Sequence, residues 1–267
     1  MTTIRDVTDF LEGIAPLQYQ EPYDNAGLIV GSHHSEVRAA LISLDTTEAV
    51  IDEAIELGCN LVVGHHPIIF TGLKKINGYH YVEKAVIKAI KNDIAIYAIH
   101  TNLDNVLQDG VNSQIADKLG LRETRILRPK EINTIGSGLV GKLPAAMPFK
   151  DFEQYLMDHL ELSGFRRTCV VRDVVEQVAL CGGSGRFLLG DAIGAGAEVF
   201  ISADFKYHEY FDANGEITII DVGHYESEKF TIQLVHRLIT GKFSKFAAYC
   251  TKVNTNPITY NYKNGHN

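Results

Sequence analysis

The chain has 267 residues, 45% of them hydrophobic and 22% charged, a balance that can bury a core and excludes disorder as its main state. Its 25 Lys and Arg against 33 Asp and Glu leave a net charge of −8, which excludes a basic phosphate-backbone binder, so no nucleic-acid partner is expected. The longest apolar runs, such as Leu61–Val63 and Ile94–Ile99, are far short of the roughly 18 residues of a spanning helix, and the N-terminal stretch has no apolar signal core; no membrane partner and a cytoplasmic location are expected.

Short apolar runs alternate with helical periodicity, the mark of an α/β fold. Thr3–Leu11 reads as a helix and Leu41–Leu44 as a strand. Thr47 then looks like an N-cap, with Val50, Ile51, Ala54 and Ile55 on one face and Gly58 as the stop. Asn60–Val63 is a strand, Tyr81–Ile90 a helix, Ile94–Ile99 a strand and Gly110–Leu119 a helix. Arg122–Asn133 is polar and interrupted by Pro129, and Leu139–Lys142 is a short strand. Phe149–Leu162 is an amphipathic helix, and Gln177–Leu180 a strand running into Cys181-Gly182-Gly183-Ser184-Gly185. There follow a helix over Arg186–Ala195, a strand over Glu198–Ile201, a short helix over Asp204–Asp212 and a strand over Glu216–Asp221. A helix over Glu226–Ile239, a strand over Phe246–Thr251 and a polar extension complete the chain. The change of pattern near Leu121 suggests two lobes. Residues 1–121 with 217–267 form a first α/β lobe, and 122–216 a second one inserted into it. Cys59, Cys169, Cys181 and Cys250 form no Cys-x-x-Cys pair, so neither a thiolate zinc site nor a disulfide framework is expected.

The chemistry gathers where strands end. Leu61–Val63 runs into Gly64-His65-His66-Pro67, Ile94–Ile99 into His100-Thr101-Asn102-Leu103-Asp104, and Glu216–Ile220 into Asp221-Val222-Gly223-His224-Tyr225-Glu226-Ser227-Glu228. In open α/β sheets the carboxyl ends of strands are where ligands bind, and neighbouring strands would bring these groups to one crevice. Adjacent side chains of a strand point to opposite faces, so His65 and His66 could share a site only where the strand has ended and the chain turns. His224 and Glu228, four apart, lie on one face at a helix start. The set His65, His66, Asp104, His224 and Glu228 mixes nitrogen and oxygen donors, which suits Zn, Fe, Mn or Ni better than Mg or Ca. Five ligands exceed what one open catalytic zinc takes and could serve two metals. His100 reads as a group that orients a ligand or moves a proton, and His208, four past Asp204, as a second candidate for proton transfer.

These segments resemble the Nif-three-like family, also labelled GTP cyclohydrolase I type 2 homolog. Tyr23-Asp24-Asn25-Ala26-Gly27-Leu28, the Cys181–Gly185 turn and the Ser202–His208 segment are similar to its other signatures, so the resemblance spans about Ile4 to Ile239. Tyr23 departs from it, standing where the family usually has Trp, and the long central insert of some members is missing. The resemblance implies two interlocked α/β lobes assembled as a toroidal homohexamer. It also implies a centre of two divalent metal ions per chain, on His65, His66, Asp104, His224 and Glu228. The expected function is a dinuclear metal-dependent hydrolase with His100 or His208 moving a proton. Its small-molecule substrate would be a nucleotide, opened at the ring as the family label implies, or a phosphoester. The alternative is a non-catalytic metal-binding scaffold or regulatory protein.

Two glycine motifs compete for attention. Gly136-Ser137-Gly138-Leu139-Val140-Gly141 matches a dinucleotide fingerprint, but no strand–turn–helix frames it, and the overlapping P-loop pattern fails at Leu143; a glycine-rich strand or bulge is expected instead. Cys181–Gly185 sits between a strand and a helix, where its amides could bind an anion or form a tight left-handed turn.

Overall fold

The computed structural model describes residues 1–260. α1 (Ile4–Ile14) begins at Thr3, whose hydroxyl accepts from the Asp6 amide while the Asp6 carboxylate accepts from the Thr3 amide. β1 (Gly27–Val30) and β2 (Ala39–Ser43) follow, and then α2 (Glu48–Glu56), capped by Thr47 as its sequence predicts. β3 (Leu61–Gly64), α3 (Tyr81–Lys91), β4 (Ala95–Ala98), the single turn α4 (Thr101–Asp104) and α5 (Val111–Lys118) complete the first part. β5 (Arg122–Pro129), β6 (Gly136–Pro148), α6 (Phe149–Leu160), β7 (Arg166–Arg167), β8 (Val174–Ser184) and α7 (Leu189–Gly194) come next. The chain continues through β9 (Val199–Ala203), β10 (Thr218–Asp221), α8 (His224–Glu228), α9 (Thr231–Lys242) and β11 (Ala247–Cys250).

Two sheets result, a mixed α/β architecture as the alternation of elements predicts. The first has the order β1-β4-β3-β2-β11 and the second β5-β6-β8-β9-β10-β7. In the first, β11, β2, β3 and β4 run parallel, and only the edge strand β1 is antiparallel. Its central strands are apolar throughout because both faces are covered. Ala40, Ile42, Leu61, Val63 and Tyr97 face α1 and α9, while Leu41, Val62 and Ile96 face α2 and α3. In the second sheet β8, β9 and β10 are parallel, packed on one side by α5 and α6 and on the other by α7.

Several expectations need correction. β10 was expected in the first lobe, with residues 217–267, but Thr218–Asp221 pairs with Val199–Ser202 inside the second sheet. The three ligand-bearing strands are therefore not all neighbours: β3 and β4 pair with each other, and β10 belongs to the other sheet. The helix expected over Glu226–Ile239 is two helices, α8 and α9, divided at Lys229 and Phe230. The polar stretch after Leu121 is the edge strand β5, whose charged residues suit an exposed edge while Ile126 and Leu127 are buried. Gly136–Gly141 lies in the long strand β6, as the glycine-rich strand reading predicts; Gly138 has φ 66° there, and an added Cβ would also press on Leu188 and the Leu180 carbonyl, so backbone and space both call for glycine. Of the polar extension after Thr251, residues 261–267 lie outside the described residues.

Candidate metal centre

β3 ends at Gly64, and the chain turns at once. The His65 amide donates to the Ser43 and Leu44 carbonyls (3.1 and 3.0 Å) and the His66 amide to Leu44 (2.9 Å). The turn cancels the strand alternation, so both imidazoles point to one place, with ring centres 4.9 Å apart. β4 ends at Ala98, and the chain turns through Ile99 into α4 so that His100 and Asp104 enter from beside them. From the second sheet, β10 leads through Gly223 into α8, which carries His224 and Glu228 on one face. The strand ends of the two sheets thus meet at one cluster.

Each histidine is held by its Nδ1. His65 donates to the Ile99 carbonyl (2.8 Å), His66 to Asp45 (2.8 Å), His100 to Asp24 (2.8 Å) and His224 to Asp204 (2.7 Å). A carbonyl or carboxylate only accepts, so a proton sits on each Nδ1, and it is Nε2 that faces the cluster and can offer a lone pair when the ring is neutral. This carboxylate–histidine arrangement fixes ring orientation and raises donor strength at metal sites. Asp24 is anchored in turn by the Thr101 amide (3.0 Å) and hydroxyl, and Asp45 by the Thr255 hydroxyl (2.6 Å). Asp204 takes a left-handed backbone, φ 61°, a conformation that Asp adopts more readily than most residues.

Glu228 is the shared carboxylate. Its Oε2 lies 3.0 Å from both His66 Nε2 and His224 Nε2, and its Oε1 3.9 Å from His65 Nε2. Three sets of ligand atoms lie within 4.8 Å of one another: His65, His66 and His100; His66, His224 and Glu228; and His65, Asp104 and Glu228. Burial without partners tests whether the residues suit a cation. His65 is 1% exposed, yet its Nε2 has no hydrogen-bond partner, and the buried Asp104 Oδ1 beside it, 3.6 Å away, has none either. A lone pair and a carboxylate oxygen left buried together are costly unless something positive lies between them. Gly183 makes room for the carboxylate: an added Cβ would overlap Glu228 Oε1. The donor set therefore fits a metal ion.

The charges agree. Burial opposes the imidazolium of His66, yet Asp45 and Glu228 hold it up at about 9, and Glu228 and Asp204 hold His224 up at about 11. Burial also opposes ionised Glu228, but the charge of His224 and hydrogen bonds from His224 and His66 keep it well below the usual carboxylate range. Asp104 moves the other way, raised by burial and by Glu228 over the attraction of His65. Ligation needs neutral imidazoles, so metal uptake displaces protons from this cluster. The metal-free fold has the full benefit of His66 protonation below pH 6.5, its ordinary value, and loses it as pH rises through about 9. Metal stabilisation runs in the opposite direction. Between those values the rise in melting temperature given by saturating divalent ion is expected to grow, as scanning calorimetry would measure; a pH-independent rise would contradict it.

Outer partners give a second expectation. Asp204→Asn keeps a residue that tolerates the left-handed backbone but removes the charge behind His224. Metal affinity should fall on the order of 10–100-fold, read by competition with a chromophoric chelator, and the metal-free fold should weaken somewhat because His224 loses one of the anions that keep it charged. Unchanged affinity would mean that the Asp204–His224 contact does not tune the donor.

All five expected ligands are brought together, and His100 joins them within ligand distance. His208 is not: it is exposed, packs on Tyr207 and Phe211, and does not line the cavity above the cluster. Asp204, expected as the partner of His208, serves His224 instead. Asp45 was missed although the strand-end rule applies to it, since it lies two residues past β2 just as His66 lies two past β3. The amides after Cys181 are not an anion site: Gly182 donates to Asn112 (2.9 Å), Gly183 to Ser227 (2.9 Å) and Gly185 to Ser202 (2.9 Å). Gly183, φ 61°, is the left-handed turn that was the other reading of that segment. All four cysteines are free, and burial with the nearby Asp104 and Glu228 pushes the Cys181 thiol up, so it stays protonated.

Above the cluster lies a cavity of about 710 Å³, walled from both sheets and by Thr255–Ile258 of the C-terminal segment. That segment is tied down where Thr255 donates to Asp45 and Asn256 to Glu226 (3.0 Å). No helix among the described residues is long and apolar enough to cross a membrane.

Comparison with known proteins places this architecture. A Clostridium acetobutylicum protein named GTP cyclohydrolase 1 type 2 homolog is 33% identical over 245 residues, covering 91% of each chain. A protein of the same name from Clostridium perfringens is 33% identical over 227 residues, covering 84% of this chain and 86% of that one. The crystal structure of a Bacillus cereus protein related to NIF3 superposes with a TM-score of 0.89 at 26% identity, covering 97% of this chain and 99% of that one. The model of one family, Duf34/NIF3 (NGG1p interacting factor 3), matches residues 2–257, and the chain belongs to that family.

Proposed function

We propose that the protein is a hydrolase dependent on two divalent metal ions. The observation that carries the reading is the buried, unpartnered pair His65 Nε2 and Asp104 Oδ1 beside the carboxylate of Glu228. His66, His224 and Glu228 would hold one ion, and His65, Asp104 and Glu228 the other, with Glu228 shared; Zn, Fe, Mn and Ni all suit these donors. Such ions acidify water and stabilise developing negative charge. His100, with Nδ1 tied to Asp24, presents Nε2 to the same space and is the residue suited to take up and return a proton there. His208, outside the cavity, has no part in this reading.

Ring opening of a nucleotide, after the relatives' name, and cleavage of a phosphoester are both within reach of this donor set. A large cavity over the cluster favours chemistry over a closed structural site, which would surround its metal with protein ligands. The toroidal homohexamer belongs to the same reading, and light scattering tests it separately. The function is tested with metal-reconstituted protein and its His224→Ala variant against cyclic amides, purine nucleosides, nucleotides and phosphoesters. Turnover by wild type that the variant lacks is expected. Full metal occupancy with no turnover on any of them would overturn the hydrolase and favour a metal-binding scaffold.

A further inference from the structure

We infer that the cavity takes a planar ring compound, neutral or cationic, and turns away nucleoside polyphosphates. The inference rests on the proposed function only in taking this cavity as the substrate site, and it narrows the substrate.

The walls carry the first part of the argument. Tyr23, Phe70 and Phe187 line the cavity and are 68%, 50% and 47% exposed. Large apolar rings left in water together mark a surface that a ligand covers. The rings at this mouth are suited to stacking on a flat, π-faced ligand. The volume, about 710 Å³, is that of a pocket for a compound of nucleoside size.

Charge carries the second part. Among the described residues that line the cavity, none is Lys or Arg. Basic side chains close to the lining are engaged elsewhere: Lys130 pairs with Glu21 (2.8 Å), Arg186 with Asp212, Lys229 donates to the Glu161 carbonyl (3.0 Å), and Arg128, 5.3 Å from the centre of the Phe187 ring, pairs with Asp191 (2.5 Å). Lys74 and Lys75, just past Phe70, do not line it. Two divalent ions would bring four positive charges. Asp24, Asp45, Asp104, Asp204 and Glu228, at or directly behind the ligands, already set five negative charges against them. Glu21 at the wall is balanced by Lys130 and leaves that count unchanged. A triphosphate would enter a field that is already negative, and beyond the ions themselves no guanidinium or ammonium lines the cavity to take up its remaining charge, as such groups commonly do at phosphate sites.

The test uses full-length protein loaded with Mn²⁺, its metal content followed throughout, and equilibrium dialysis with guanosine, GTP, adenosine, ATP and tripolyphosphate. At least one nucleoside should bind tenfold or more tightly than its own triphosphate, and tripolyphosphate should not displace it. Phe187→Ala, which removes no candidate ligand, should weaken nucleoside binding about tenfold, the scale of one lost base–aromatic stack, with metal content unchanged. A triphosphate binding as well as its nucleoside, competition by tripolyphosphate, or no binding by either nucleoside would overturn the inference. The outcomes separate from the hydrolase reading: bound nucleosides that are never turned over count against hydrolysis alone, and preferred, hydrolysed triphosphates count against the ligand class alone.

Discussion

Glu228→Ala is expected to abolish metal binding at the proposed two-ion centre. This carboxylate belongs to two of the three ligand sets, so its loss removes a donor from each at once. Removing a partner that only orients a ligand costs about 10–100-fold in metal affinity, so removing a shared ligand should exceed 100-fold. Metal analysis after dialysis reads it directly: wild type retains metal and the variant does not. Stability gives an independent readout, because an ion that binds only the folded state stabilises it by about 2.7 kcal/mol at 100 times its dissociation constant. Wild type should gain on that order from added metal and Glu228→Ala almost nothing. The metal-free variant should also weaken, since His66 and His224 lose the anion that keeps them charged. Glu228→Gln keeps the shape and one acceptor oxygen and should fall between the two. Wild-type metal retention in Glu228→Ala would remove the basis for a centre at this place.

Gly183→Ala should damage fold and centre together without touching a ligand. Two effects add. Gly183 has φ 61°, where a Cβ costs roughly 1–2 kcal/mol. The same Cβ would overlap Glu228 Oε1 and approach Glu228 Cδ and His224 Cε1 to 3.2 Å, an overpacking usually costing about 1–3 kcal/mol. The sum is roughly 2–5 kcal/mol, and any relief must come from moving Glu228, so metal retention should fall as well. Gly215→Ala separates the causes: Gly215 has φ 70° and nothing within 4 Å of an added Cβ. It should lose only the backbone share, with metal content unchanged. Equal denaturant midpoints and equal metal content in the two variants would show that Gly183 is no cradle for Glu228.

Local signals located most elements well. The Thr3 and Thr47 caps, the apolar faces of α2 and α3 and the runs of β3 and β4 lie in consecutive residues, where hydrophobic period and capping chemistry act. The misses have local causes too. β5 has little apolar pattern because an edge strand buries little. Ile55 and Ile90 continue the pattern of their helices but are 39% and 56% exposed, since apolar residues also occur on surfaces. α8 ends early: the apolar pattern runs past Glu228, and nothing in it signals the break at Lys229 and Phe230.

What the sequence determined by itself was the chemistry on offer: imidazoles and carboxylates set just past apolar strands, four residues apart on α8 or freed by a turn after Gly64, because strand ends and helical spacing are properties of neighbouring residues. Which strands lie side by side was decided only in three dimensions. Pairing between β9 and β10, or the meeting of α8 with the turn after β3, joins residues far apart in the chain, and such contacts form by burying surfaces whose fit no local spacing records. The same holds for partnership within the centre. His208 lies four residues from Asp204, yet Asp204 receives His224, because the left-handed turn after β9 and the start of α8 bring their side chains within 2.7 Å. Asp45, Asp24 and Gly183 acquire their parts in the same way, one by facing His66, one by facing His100 and one by leaving space for Glu228.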